Sequence, residues 1–183
     1  AGNITLPNTN FVTVGASGNN ISITETSGLV LGATNAAGTL TVNIGTGNDL
    51  GSAGTITAGG NVDLTARNVT VSGSGNLTFS NITSGSTIAI TTSGDINLNQ
   101  VAAISNSRSI NLTSTGGKIS VTPTLTTSTL TLSAATGTIN ATGLLTSGTT
   151  SAATAGATSI TASGDITLAG LTTRGNSEIG RAS

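Results

Sequence analysis

Two apolar residues flanking one polar residue, then a short polar corner, then the same triplet again: this unit recurs along the chain and limits what it can fold into. Ile110-Asn111-Leu112 and Ile119-Ser120-Val121 bracket a Gly-containing corner at 113–118. Period-two alternation on both sides of such a corner reads as two short strands joined by a turn. The unit recurs as Ile21-Ser22-Ile23 with Leu29-Val30-Leu31, and as Val62-Asp63-Leu64 with Val69-Thr70-Val71. Further copies are Ile88-Ala89-Ile90 with Ile96-Asn97-Leu98, Leu130-Thr131-Leu132 with Ile139-Asn140-Ala141, and Ile160-Thr161-Ala162 with Ile166-Thr167-Leu168. Leu40-Thr41-Val42 is a further start with a less distinct second strand.

These starts set a period of about twenty residues, in the range that marks stacked repeat architectures. Two intervals are longer and read as insertions, one at 73–86 and one at 148–159. A third, weaker apolar segment falls between most pairs, as at Ile56, Leu77-Thr78-Phe79, 101–104, Leu125, Leu144-Leu145 and Leu171. Three short strands per period fit one triangular coil of a parallel β-helix, each strand pairing with its equivalent one coil away. The expected fold is all-β: a β-solenoid of roughly nine coils, about 40 Å long at ~4.8 Å per coil. Residues 1–171 read as one repeat domain with an irregular insertion at 148–159, and 172–183 as an irregular tail or cut end.

Composition supports coiling over other folds. Glycine is too frequent and β-branched residues too common for helices. A Ser/Gly-rich chain with 6% charged residues could be a linker, but the recurring Ile, Leu and Val pairs supply apolar surface to bury. Pro7 and Pro123 each follow a strand end, where a missing N–H is tolerated. Outward positions of successive units, namely Asp63, Ala89, Asn111, Thr131 and Thr161, are expected to form a ladder along the rod.

The repeats have a family style. The runs Gly2-Asn3-Ile4-Thr5-Leu6, Gly28-Leu29-Val30-Leu31-Gly32-Ala33 and Gly38-Thr39-Leu40-Thr41-Val42 resemble haemagglutinin-type repeats. So does Ala58-Gly59-Gly60-Asn61-Val62-Asp63-Leu64. Such repeats occur in the passengers of filamentous-haemagglutinin-like secreted adhesins, exported by two-partner secretion. The resemblance covers most of the chain and is weakest at 148–159 and after 171. It implies a right-handed β-helix, export through an outer-membrane transporter, and a place at or beyond the cell surface. On this reading the chain is a segment of a longer adhesin or a processed filament subunit. Separately from the resemblance, a second reading makes the chain a surface-binding module for host surfaces or glycans. With no capping helix or charged end strand in view, self-association along the solenoid axis is expected.

Candidate chemistry is sparse. With no His and no Cys, a Ser-His or Cys-His nucleophile is impossible within the chain. Glu25, Asp49, Asp63, Asp95 and Asp165 fall in different coils or turns, so no carboxylate pair is expected. The expectation is a non-enzyme without cofactor or metal. Asp49, in Gly45-Thr46-Gly47-Asn48-Asp49, lacks the recurring Asp of a calcium-binding nonapeptide repeat and reads as a polar corner. Ser93-Gly94-Asp95 and Ser163-Gly164-Asp165 are one turn used twice, each Asp expected to bond its own turn backbone. A net charge of −1 with scattered basic residues offers no nucleic-acid groove.

Seven Asn residues (3, 20, 68, 76, 81, 111 and 140) precede x-Ser/Thr, a triplet that a turn Asn before an Ile-x-Thr strand creates by construction. Outward Thr raises ice binding, but the expected ladder mixes Asp63, Ala89 and Asn111 with Thr131. Outward Thr therefore reads first as a good strand former. Glycan platforms need aromatic faces, and the two aromatics, Phe11 and Phe79, sit at inward alternations.

Overall fold

The structure is a computed structural model, and it describes residues 2, 4–7, 13–102, 109–148, 156–174 and 176–181. Among these residues there is no helix. The first strands are β1 (Ile4–Pro7), β2 (Thr13–Gly18), β3 (Ile21–Thr24), β4 (Leu29–Ala36), β5 (Leu40–Asn43), β6 (Asp49–Ser52) and β7 (Ile56–Ala58). Two long strands follow, β8 (Asn61–Gly73) and β9 (Leu77–Thr92), and then β10 (Ile96–Leu98), β11 (Val101–Ala102), β12 (Ser109–Ser114) and β13 (Ile119–Val121). The last are β14 (Leu125–Thr127), β15 (Thr129–Ala134), β16 (Ile139–Ser147), β17 (Thr158–Ala162), β18 (Ile166–Thr173) and β19 (Ser177–Arg181).

All recorded pairings are parallel and join one coil to the next, so the chain is a parallel β-solenoid. One stack begins Ile4, Ile21, Leu40, Val62 and passes to Phe79 in β9. It continues from Leu77 through Ile96, Ile119 and Ile139 to Ile166. A second stack pairs β2, β4, β6, β8, β9, β12, β15, β17 and β19 in that order. The two long strands run around a corner and serve both stacks: Val62 and Val69 of β8 belong to different ones, as do Phe79 and Ile88 of β9. Shorter pairings make the third side, such as Leu125 on Leu145 and Leu145 on Leu171. Nine levels make about eight turns, a rod of about 38 Å at ~4.8 Å per turn.

The core is a column of stacked aliphatic side chains. Ile88, Ile90, Ile110, Leu112, Leu130 and Leu132 have no exposed surface, and Phe79, the largest buried side chain, lies among them. Each alternates with an outward polar neighbour, the pattern expected of strands with one wet face. Phe11 lies outside the described residues.

The register corrects the phase read from sequence. Leu77-Thr78-Phe79 is a full member of the first stack, pairing with Val62 on one side and Ile96 on the other. Ile88 pairs with Val69 and Ile110, not with Val62. The long interval at 73–86 is therefore no insertion. It contains the first-stack strand of the next coil, in which Phe79 stacks on Val62 17 residues earlier. The expected ladder changes accordingly. Ala89, Asn111 and Thr131 do stack, but Asp63 faces Thr41 and Asn81, and Thr131 meets Ser159 in place of Thr161.

Two boundaries move as well. The less distinct strand after Leu40 is β6, with Leu50 buried. Thr158 and Ser159, expected in the insertion, already belong to β17; residues 149–155 lie outside the described residues. The expected irregular tail contains the end of β18 and all of β19, which pairs with β17 from Ser177 to Arg181.

Corners carry their own stack. Gly38, Gly60, Gly75, Gly94, Gly117, Gly137 and Gly164 lie at the corner that enters the first stack, and Gly60, Gly94, Gly117, Gly137 and Gly164 each approach the backbone of the glycine one coil before. A Cβ on Gly117 would lie 2.6 Å from the Gly94 carbonyl carbon, and one on Gly137 2.6 Å from that of Gly117. Only Gly75 among these has a positive φ, 76°. At Gly60, Gly94, Gly117, Gly137 and Gly164 close backbone approach, and not a left-handed turn, favours glycine.

Candidate functional site

Polar side chains at the corners tie neighbouring coils together. The Thr39 N–H donates to Asn20 Oδ1 (2.9 Å), the Asp95 N–H to Asn76 Oδ1 (2.8 Å), and the Thr87 N–H to Asn68 Oδ1 (3.1 Å). Asp95 Oδ1 in turn accepts from the Lys118 N–H of the next coil (3.0 Å). The expectation that Asp95 bonds its own turn is thus corrected: its carboxylate accepts from a backbone N–H one coil away. Buried hydroxyls add a second tie. Thr92 Oγ1 donates to the Gly75 carbonyl (2.6 Å) and Ser114 Oγ to that of Gly94 (2.7 Å).

These bonds sort the Asn-x-Ser/Thr sites. Asn20, Asn68 and Asn76 hold neighbouring coils through their amide oxygens. Asn81 buries an Oδ1 without a hydrogen-bond partner. Asn111 and Asn140 are exposed, and Asn111 Oδ1 accepts from Thr113 Oγ1 (3.3 Å). Asn3 lies outside the described residues.

The acids stay dispersed. Asp49 opens β6 and takes a two-pronged ion pair from Arg67, Nε at 2.8 Å and Nη2 at 2.6 Å, with Asn68 Nδ2 at 2.8 Å. Hydrogen bonds from Arg67 hold the Asp49 carboxyl below the usual carboxylate range, and the same bonds raise the guanidinium. Both side chains are half exposed, so the pair is screened by solvent. Asp63 accepts a hydrogen bond from Ser80 Oγ. Glu25 is buried, its N–H bonded to the Asn43 carbonyl (2.9 Å). Among the described residues no three acids gather as a metal-binding group.

The side of the rod formed by the second stack divides into two surfaces. Over the first coils it is concave. One hollow of about 450 Å³ is lined by Gly15, Ala16, Ala33, Thr34 and Thr55, and another of about 490 Å³ by Gly28, Val30, Gly51, Asp49, Thr70 and Thr87, where it meets β9. From β9 onward the same side is an unbroken polar sheet. Thr91, Thr113, Ser133 and Thr161 make one outward row in register. Thr87, Ser109 and Thr129 make a parallel row. Ala89, Asn111, Thr131 and Ser159 run between them. Sequence reading missed the outer rows, because Thr91, Thr113 and Ser133 look like turn residues beside a three-residue strand. In the structure β9, β12 and β15 continue two residues further. Thr129-Leu130-Thr131, with Thr at both ends of a strand alternation, was the available signal.

No protein-family model, curated protein or solved structure matches this chain.

Proposed function

We propose that the chain is a structural β-solenoid segment of a bacterial adhesin or extracellular filament, acting at or beyond the cell surface. The observation that carries this reading is the continuous stacking of nine levels over one apolar column, a form that supplies length and stiffness. The family style of the repeats supports export through an outer-membrane transporter.

Association along the axis is part of the proposal. Among the described residues β1 pairs only with β3, and β19 only with β17. Their second edges carry main-chain groups directed along the rod, the kind of edge that templates pairing with another chain. Ile179, inward in the second stack, is 52% exposed on the last level. A second copy placed end to end would cover it and continue both stacks. Sedimentation across a concentration series tests this. Growth into linear oligomers is the expected result, and a strict monomer at high concentration overturns the stacking proposal.

A further inference from the structure

The polar sheet from β9 to β17 has properties that a spacer does not need. Its four strands pair without a register shift, whereas β2–β4 on the same side contains one, between Val14 and Ala16. It is neutral: none of its outward positions carries a charge, and the Asp49–Arg67 pair and Glu178 stand just beyond its two ends. Its outward groups are almost all hydroxyls, and Thr predominates in the outer rows. All of these side chains reach the surface.

Geometry follows from the fold. Outward groups repeat at about 6.6 Å along a parallel strand and about 4.8 Å from coil to coil. Thr is restricted at χ1 because Cβ is branched, so each hydroxyl and each methyl is held near one position before any ligand arrives. The result is a rigid two-dimensional lattice of hydroxyls and methyls. A soluble ligand with a single recognition point gains little from such repetition. A crystalline surface with a comparable repeat meets many groups at once, and many weak contacts then add as in multivalent binding. Two crystalline solids offer neutral oxygen lattices: ice and packed polysaccharide. Sugar rings present apolar faces that aromatic side chains cover, and Phe79, the one described aromatic, is fully buried. Ordered water needs no aromatic.

We propose that the outer face of β9, β12, β15 and β17 binds ice. The hydroxyls hold water in the ice lattice and the methyls fill the gaps between lattice positions. This extends the solenoid's role and does not depend on its export or on end-to-end stacking.

Partitioning of the purified chain into a slowly grown polycrystalline ice hemisphere tests the proposal. Three variants accompany it: Thr131→Tyr at the centre of the face, Ala89→Thr, which completes the middle row, and Thr41→Tyr on another side of the rod. Far-ultraviolet circular dichroism on each shows that the fold is kept. The natural chain and Thr41→Tyr should enter ice alike, Ala89→Thr should enter more, and Thr131→Tyr should lose about ten-fold, the effect of one to two hydrogen bonds. A natural chain excluded from ice overturns the proposal. So does an equal effect of Thr131→Tyr and Thr41→Tyr, and so does capture by microcrystalline cellulose without incorporation into ice.

Discussion

The side of the rod built on the second stack is two surfaces on one scaffold. In the first coils β2, β4 and β6 turn Gly15, Val30 and Gly51 outward, and hollows form above them. In the later coils β9, β12 and β15 turn Thr, Ser and Asn outward in straight rows. The core beneath is the same in kind: Leu29 and Leu31 are as buried as Leu130 and Leu132. The backbone differs. A bulge between Val14 and Ala16 breaks the early register, while β12 pairs residue for residue with both neighbours. An apolar column therefore does not by itself impose an ordered outer face. Regular rows need a regular register as well.

The largest effects should come from the core under the regular surface. Leu112→Ala removes a fully buried side chain between Ile90 and Leu132, and should cost about 2–5 kcal/mol in urea unfolding. Each coil touches only its neighbours. Amide exchange should therefore quicken at Ile90 and Leu132 and stay slow at Leu31. Equal quickening in the first coils would mean that the two surfaces are mechanically one unit.

Glycine sharpens the contrast. Gly137→Val places a side chain against the Gly117 backbone and should destabilise by about 1–3 kcal/mol. Gly51→Ala, in the concave region, meets no atom within 4 Å and should stabilise by about 0.4–1 kcal/mol through the unfolded chain. Thermal melts of the two variants check both signs. A smaller gain is expected where the corner hydroxyl is missing. Ala134 pairs with Ser114, whose hydroxyl bonds the Gly94 carbonyl. Ala134→Ser should reach the Gly117 carbonyl and add about 0.5–1.5 kcal/mol.

The smallest effect concerns Asp49, beside the hollow. Its folded pKa is depressed, so its stabilisation is complete above the ordinary carboxylate pKa and is lost as pH falls through the folded value. The stability difference between the natural chain and Asp49→Asn should be slight at pH 7 and vanish in strong acid. A difference that persists in acid would trace to packing and not to charge.

Much of the architecture was legible because alternation is local. Ile110-x-Leu112 and Ile119-x-Val121 declare strands within a few residues, and their recurrence declares stacking. Phase was not legible. The two stacks use the same apolar-x-apolar triplet, so Leu77-x-Phe79 and Ile88-x-Ile90 are indistinguishable until register is known. Register is a relation between residues a full coil apart. A coil of only 17 residues from Val62 to Phe79 was enough to exchange the stacks. The partner of Asp95 was hidden for the same reason: Lys118 is 23 residues away. β19 was hidden because Ile179 stands alone among Ser177, Glu178 and Gly180, with no second apolar residue to show alternation. The polar rows depended on all of these, since a surface array exists only once the register is set.

The parallel ladders also decide how the rod would respond to tension. Their hydrogen bonds lie along its length, so a pull on the two ends loads them in line, one coil boundary at a time. Side-by-side strands pulled in shear would share the load across a whole sheet; here each boundary bears it alone. The weakest boundary opens first and pays out one coil, about 70 Å of chain for twenty residues, while the remaining coils keep their stacking. Under force the rod would act as a reel.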